Sequence, residues 1–81
     1  MEMEAKMDWK QFITANPAIH HGMACIKDTR IPVAIVLDNL AAGLAIEEIV
    51  KSYPSLSVKA IQAAITYAAE LAREESILLP A

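Results

Sequence analysis

The sequence predicts a small, mostly α-helical domain with a short β element near its N-terminus. Three observations carry this expectation. From Pro32 onward, apolar residues recur at helical spacing in three segments separated by Gly43 and Pro54. Before Pro32, the apolar stretches are too short for helices and are bounded by turn formers. The chain has 81 residues, room for one domain.

The first residues, 1–8, show no periodicity and are expected to be a frayed, flexible N-terminus. The domain proper is expected over residues 9–75. Trp9, Phe12 and Ile13 suggest a short extended or one-turn element that closes at the Asn16-Pro17 turn signal. Gly22 then permits a bend, and "ACIKDTRIPV" reads as two very short strands around a Lys27–Asp28 turn. Pro32 suits the first turn of a helix, because its φ is fixed and its missing amide proton would have no partner there. Helix one is therefore placed over Pro32 to Ala42, with Asp28 or Thr29 as a candidate cap and Val33, Val36, Leu37 and Leu40 on one face. Gly43 stands where a helix end favours a left-handed residue, and Leu44 can fold back on the last turn. Helix two is placed over Ile46 to Tyr53, with Ile46, Ile49, Val50 and Tyr53 as its apolar stripe. Glu47 and Glu48 sit in its first turn, where the helix dipole favours carboxylates, and Pro54 stops it. Ser57 is a good N-cap for helix three, over Val58 to Glu74. Its expected core stripe is Val58, Ile61, Ile65, Ala68 and Ala72, with a second stripe of Ala64, Tyr67 and Leu71. The tail, residues 76–81, is apolar and has no obvious place in a monomeric core.

Composition bounds the function. Apolar residues make up 56% of the chain and aromatics 5%, so the apolar content is mostly small and aliphatic. A chain of this size buries only about 60% of its unfolded surface. Excess aliphatic surface on so small a domain points to a homodimer or a tight partner. No apolar run is long enough to span a membrane, and the acidic start "MEMEAKMDWK" lacks a signal-peptide core, so a cytoplasmic protein is expected. The single Cys25 allows no internal disulfide. A net charge of −3 argues against a general, strongly basic nucleic-acid binder, though not against a few cations concentrated on one side.

Several landmarks form a recognisable series: Asn16-Pro17, Gly22, Ile26 to Val33, Ala42-Gly43, Glu47-Glu48-Ile49, Tyr53-Pro54, Ile61, Ala63-Ala64 and Tyr67-Ala68. In this series the chain resembles the domain-of-unknown-function 433 family, small antitoxin-like proteins, over roughly Trp9 to Ala72. The resemblance implies a helix-turn-helix or winged-helix-like domain, usually dimeric. It also implies a role as antitoxin to a small PIN-like ribonuclease toxin, with no catalytic activity of its own. The chain departs from the pattern at Asp28, where Gly is expected, at Met23-Ala24, where a basic residue and Pro are expected, and at Ala45, where a Ser or Thr cap is expected. The last change forgoes a cap worth about 1 kcal/mol.

Each candidate site has a structural reading beside the functional one. In the landmark loop, Thr29 and Arg30 stand out. The planar fork of Arg30 suits a phosphate or an acidic partner, but an Arg in a turn often orders that turn, here by pairing with a carboxylate such as Asp38. In a helix-turn-helix, the N-terminal residues of the second helix face the bases. Here these are Ser57, Lys59, Gln62 and Thr66, with Lys59 and Gln62 able to reach phosphates or adenine edges. Weak, salt-sensitive DNA binding is expected of so few cations; the structural alternative is a core or dimer helix with a solvated stripe. Ile77, Leu78 and Leu79 form an apolar string suited to a partner's groove, or to the sister subunit. His20, His21 and Cys25 lack metal-ligand spacing, so no metal or other cofactor is expected, and Cys25 reads as a small core residue. Glu47, Glu48, Glu70, Glu74 and Glu75 fit helix surfaces better than acid–base chemistry. The leading expectation is a dimeric antitoxin-like module that masks a PIN-like nuclease and binds its own upstream DNA. The alternatives are a stand-alone helix-turn-helix regulator and an assembly domain with no nucleic-acid role.

Overall fold

The computed structural model describes residues 8–15 and 22–74. In chain order they form a 3₁₀ turn (Trp9–Gln11), β1 (Ile13–Thr14), β2 (Cys25–Ile26), α1 (Val33–Ala41), α2 (Ile46–Ser52) and α3 (Val58–Glu74). This is the expected class, mostly helical with a short N-terminal β element. The Asn16-Pro17 turn, His20 and His21, and Ile77, Leu78 and Leu79 of the tail lie outside the described residues, as does most of the expected flexible N-terminus.

The β element differs in its pairing from the sequence expectation. β1 and β2 run antiparallel, with Ile13 opposite Ile26 and Thr14 opposite Cys25. The hairpin expected around Lys27–Asp28 exists as a single bridge, Cys25 to Pro32, on the other side of β2. The amide of Ile26 donates to Ile31 O at 2.9 Å, and that of Val33 donates to Ala24 O at 2.9 Å. Residues 24–26 are thus held on both sides, and α1 starts directly from the second pairing.

The start of α1 corrects two details. Pro32 is the N-cap, with φ −65° and ψ 145°, and not the first helical residue. Neither Asp28 nor Thr29 caps the helix, since α1 has no side-chain cap bond and the Val33 amide is satisfied by Ala24 O. The far end is as expected. Gly43 has φ 96°, its amide donates to Leu40 O, and Leu44 donates to Asn39 O, the paired bonds of a left-handed helix stop. Nothing lies within 4 Å of a Cβ placed on Gly43, so the dihedral alone calls for glycine.

α2 ends at Ser52, one residue short of the expected Tyr53. The cap lost at Ala45 is partly replaced from inside the helix: the Ala45 amide donates to Glu48 Oε1 at 2.8 Å. Alanine offers no side-chain acceptor, so only this half of a capping box forms. α3 starts from the Ser57 cap, whose Oγ accepts from the Ala60 amide at 3.0 Å.

The core sits between α1, α2, α3 and the β element. It contains Ile13, Ile26, Val33, Val36, Ile49, Leu56 and Ile61, closed by the small Ala60, Ala63 and Ala64 of α3. Cys25 is buried at its edge, as expected. The Trp9 ring meets Tyr67 edge-on, with centroids 4.9 Å apart, and ties the 3₁₀ turn to α3. α1 and α2 bury the faces expected of them, but α3 does so only in part. Val58 is 45% exposed and Ile65 42%, so the expected core stripe of α3 is fully buried only at Ile61 and half-buried at Ala68. Beside Ile61 the helix buries three alanines, Ala60, Ala63 and Ala64; of these only Ala64 was expected on an apolar stripe.

This reassignment is tested by paired truncations. Ile61→Ala is expected to lower the unfolding free energy by about 2–5 kcal/mol, and Ile65→Ala by under about 1 kcal/mol, in urea titrations at low protein concentration.

Candidate functional site

Two regions gather the residues with recognition chemistry: the turn after β2, and the exposed sides of α3. The turn is built around Thr29. Its hydroxyl donates to Ile26 O at 2.8 Å, and its Oγ1 accepts from the Ile31 amide at 3.0 Å. The Thr29 amide closes the same turn on Ile26 O at 3.1 Å. Asp28, in the place where Gly was expected, takes a left-handed φ of 65°, which Asp tolerates better than most residues.

Arg30 does not order this turn. It is exposed, and among the described residues it forms no ion pair, with Asp38 or otherwise. The hydroxyl of Thr29 does the ordering that the sequence assigned to Arg30, and the guanidinium is left to solvent.

The turn faces the connection between α2 and α3 across a shallow cleft of about 340 Å³. Lys27, Asp28 and Thr29 line one wall and Ser55 and Ser57 the other, with Gln11 at the end. Phe12, Ile26 and Ala60 form the floor. The Lys27 amide is anchored to Phe12 O at 2.7 Å, so the backbone beneath its exposed side chain is fixed. The Gln11 amide leans away toward Asp8 Oδ2 at 3.4 Å. Lys27 and Ser55 were not singled out from the sequence. Their meeting depends on a contact between distant segments, which spacing along the chain does not show.

On α3, Lys59 and Gln62 are exposed and Thr66 half-exposed, and the three share one side of the helix. Two of the four expected base-facing residues have local duties. The Ser57 Oγ caps α3, and the Thr66 hydroxyl donates back to Gln62 O at 3.0 Å. Arg73, on the same side, pairs with Glu70 at 3.7 Å. Beside this polar side runs an apolar one, with Val58, Ile65 and Ala72 all exposed. Leu71 continues the buried side past the end of the core and is 43% exposed. Among the described residues, no helix is long and apolar enough to cross a membrane.

The family model for "Protein of unknown function (DUF433)" matches residues 13–68. The chain belongs to the DUF433 family. It is similar to a DUF433 member protein from Anabaena variabilis whose crystal structure superposes with a TM-score of 0.70 at 29% identity, covering 76% of this chain and 61% of that one. It is also 34% identical to an uncharacterized protein, y4eO, of Sinorhizobium fredii, over 73% of this chain. The chain spans 27% of the length of that curated relative. The DUF433 match begins at β1 and ends in α3, so it takes in the Thr29 turn, the cleft except for Gln11 and Phe12, and Lys59 to Thr66.

The division of labour in the turn gives a direct test. Thr29→Val, which keeps the shape and removes both hydroxyl bonds, is expected to cost about 1–3 kcal/mol. Arg30→Ala is expected to change stability by no more than about 0.5 kcal/mol in the same denaturation experiment.

Proposed function

We propose that this DUF433 chain is a dimeric antitoxin-like interaction module that neutralises a small PIN-like ribonuclease and binds its own upstream DNA. The observation that carries the reading is the two-sided exposure of α3. One side offers large aliphatic residues, Val58 and Ile65, to a protein surface; the adjacent side offers Lys59, Gln62 and Thr66 to a polar one. A helix that served only the core would expose neither Val58 nor Ile65 to this extent. The apolar side suits helix-to-helix contact, because Ala69 and Ala72 leave room for close approach between the larger residues. Ile77, Leu78 and Leu79, beyond the described residues, are a second apolar element for the nuclease.

DNA binding is assigned to the polar side. α2, the connection at residues 53–57 and α3 follow the order of a helix-turn-helix, with Lys59 and Gln62 in the first turns of the second helix. This arrangement also supports a stand-alone regulator with no toxin.

Co-purification separates these readings, and two further measurements test the two sides of α3. Co-purification of the tagged chain from its own cells is expected to yield a stoichiometric PIN-like nuclease whose activity returns when residues 76–81 are deleted. Recovery of the homodimer alone in mild salt would favour the stand-alone regulator. In gel-shift titrations on upstream DNA, Lys59→Ala and Gln62→Ala are expected to weaken binding while the dimer persists. Ile65→Lys is expected to lower dimer affinity at least about tenfold, because it places a charge in an apolar contact.

A further inference from the structure

We infer that the cleft between the Thr29 turn and the α2–α3 connection seats a backbone phosphate of duplex DNA, with Lys27 as its cation. This rests on the reading of α3 as the DNA-contacting helix and adds a second contact at the end of α3 that carries Lys59.

Four observations support it. The cleft, about 340 Å³, is open and far larger than one phosphate group, so a phosphate can enter while still part of a strand. Residues that line it carry donors: Lys27 from the turn after β2, and Ser55 and Ser57 from the α2–α3 connection. The Ser57 Oγ spends an acceptor site on the Ala60 amide, which leaves its own hydroxyl proton free to turn into the cleft. Among the described residues, the Lys27 side chain forms no ion pair, while Arg73 pairs with Glu70 and Lys10 lies over the Trp9 ring. Lys27 and Lys59, like Arg30 and Lys51, form no ion pair among the described residues, and the first two flank the start of α3 in a chain whose net charge is −3, where attraction to DNA must be local. The anchored backbone of Lys27 means that little order is lost on binding beyond its own side chain.

One group opposes the phosphate. Asp28 lines the cleft next to Lys27 and brings a negative charge to it. This gives the proposal a test with two signs. Asn also tolerates the left-handed φ that Asp28 adopts, so Asp28→Asn removes the charge and leaves the turn intact.

The experiment is fluorescence anisotropy of the full chain with a labelled duplex of about 20 base pairs, between about 50 and 200 mM salt. Lys27→Ala is expected to weaken binding about 3–10-fold at the low-salt end and to make the salt slope shallower by about one. Asp28→Asn is expected to tighten binding about 2–3-fold. If both variants bind as the parent does while Lys59→Ala weakens binding, the cleft proposal is overturned and the α3 reading stands. If the parent chain does not bind duplex at all, both fall. Calorimetric uptake of inorganic phosphate that Lys27→Ala abolishes, with duplex affinity unchanged, would overturn the duplex assignment in favour of a small free anion.

Discussion

The hydroxyl of Thr29 is the constraint on which the rest of the architecture turns. By bonding Ile26 O and the Ile31 amide together, it reverses the chain within a few residues. That reversal lets Ile26 and Val33 enter the core from the two arms of the turn. It also brings Pro32 beside Cys25, so that α1 departs from a fixed point with its first amide already bonded to Ala24 O. A part-buried hydroxyl satisfied in both its roles is worth more than its two bonds, because its loss would leave the Ile31 amide without a partner. Asp28 bears the local strain of the same turn, which is where a small polar residue is best placed to do so.

Much of this was legible in the sequence, and the exceptions share a cause. The three helices, their stops at Gly43 and Pro54, and the Ser57 cap follow from local chemistry, and α3 has the bounds the sequence implies. The buried side of α3 followed only in part: Ile61, Ala64 and Tyr67 were expected on apolar stripes, while Ala60 and Ala63 were not. Ranking apolar residues by size favours Val58 and Ile65 over alanines, whereas close packing of helices selects the alanines. A signal was present: Ala60, Ala63, Ala64 and Tyr67 repeat at helical spacing as regularly as the larger residues do. The pairing of β1 with β2 and the cleft beside Lys27 belong to a different case. Both join segments well separated in the chain, and no pattern within either segment specifies the other. Arg30 was misjudged because a neighbour, Thr29, had the shorter reach to the same backbone groups.

The exposed chemistry of the domain is concentrated where its backbone is most firmly held. The cleft is bounded by the doubly bonded turn on one side and by the capped start of α3 on the other. The two sides of α3 are set by the burial of Ile61 and its alanine neighbours, which fixes the rotation of the helix about its axis. A protein contact on Val58 and Ile65 and a polar contact on Lys59 and Gln62 would therefore lie at a constant angle to one another. Occupancy of one side bears sterically on the other, so a protein partner and a duplex could compete or cooperate through nothing more than placement.

Pro32 has a further consequence, for solubility. Small β elements risk recruiting strands from other molecules along any edge with free amides and carbonyls. Residues 31–33 form the outer rung beside β2, and there Ile31 O and the Val33 amide already bond inward. The outward-facing residue is Pro32, which has no amide proton, and its carbonyl accepts from the Ile35 amide at 3.1 Å. That edge has neither donor nor acceptor left to template another strand. The residue that launches α1 also closes this edge of the sheet to strand recruitment, a protection suited to a domain that displays aliphatic surface.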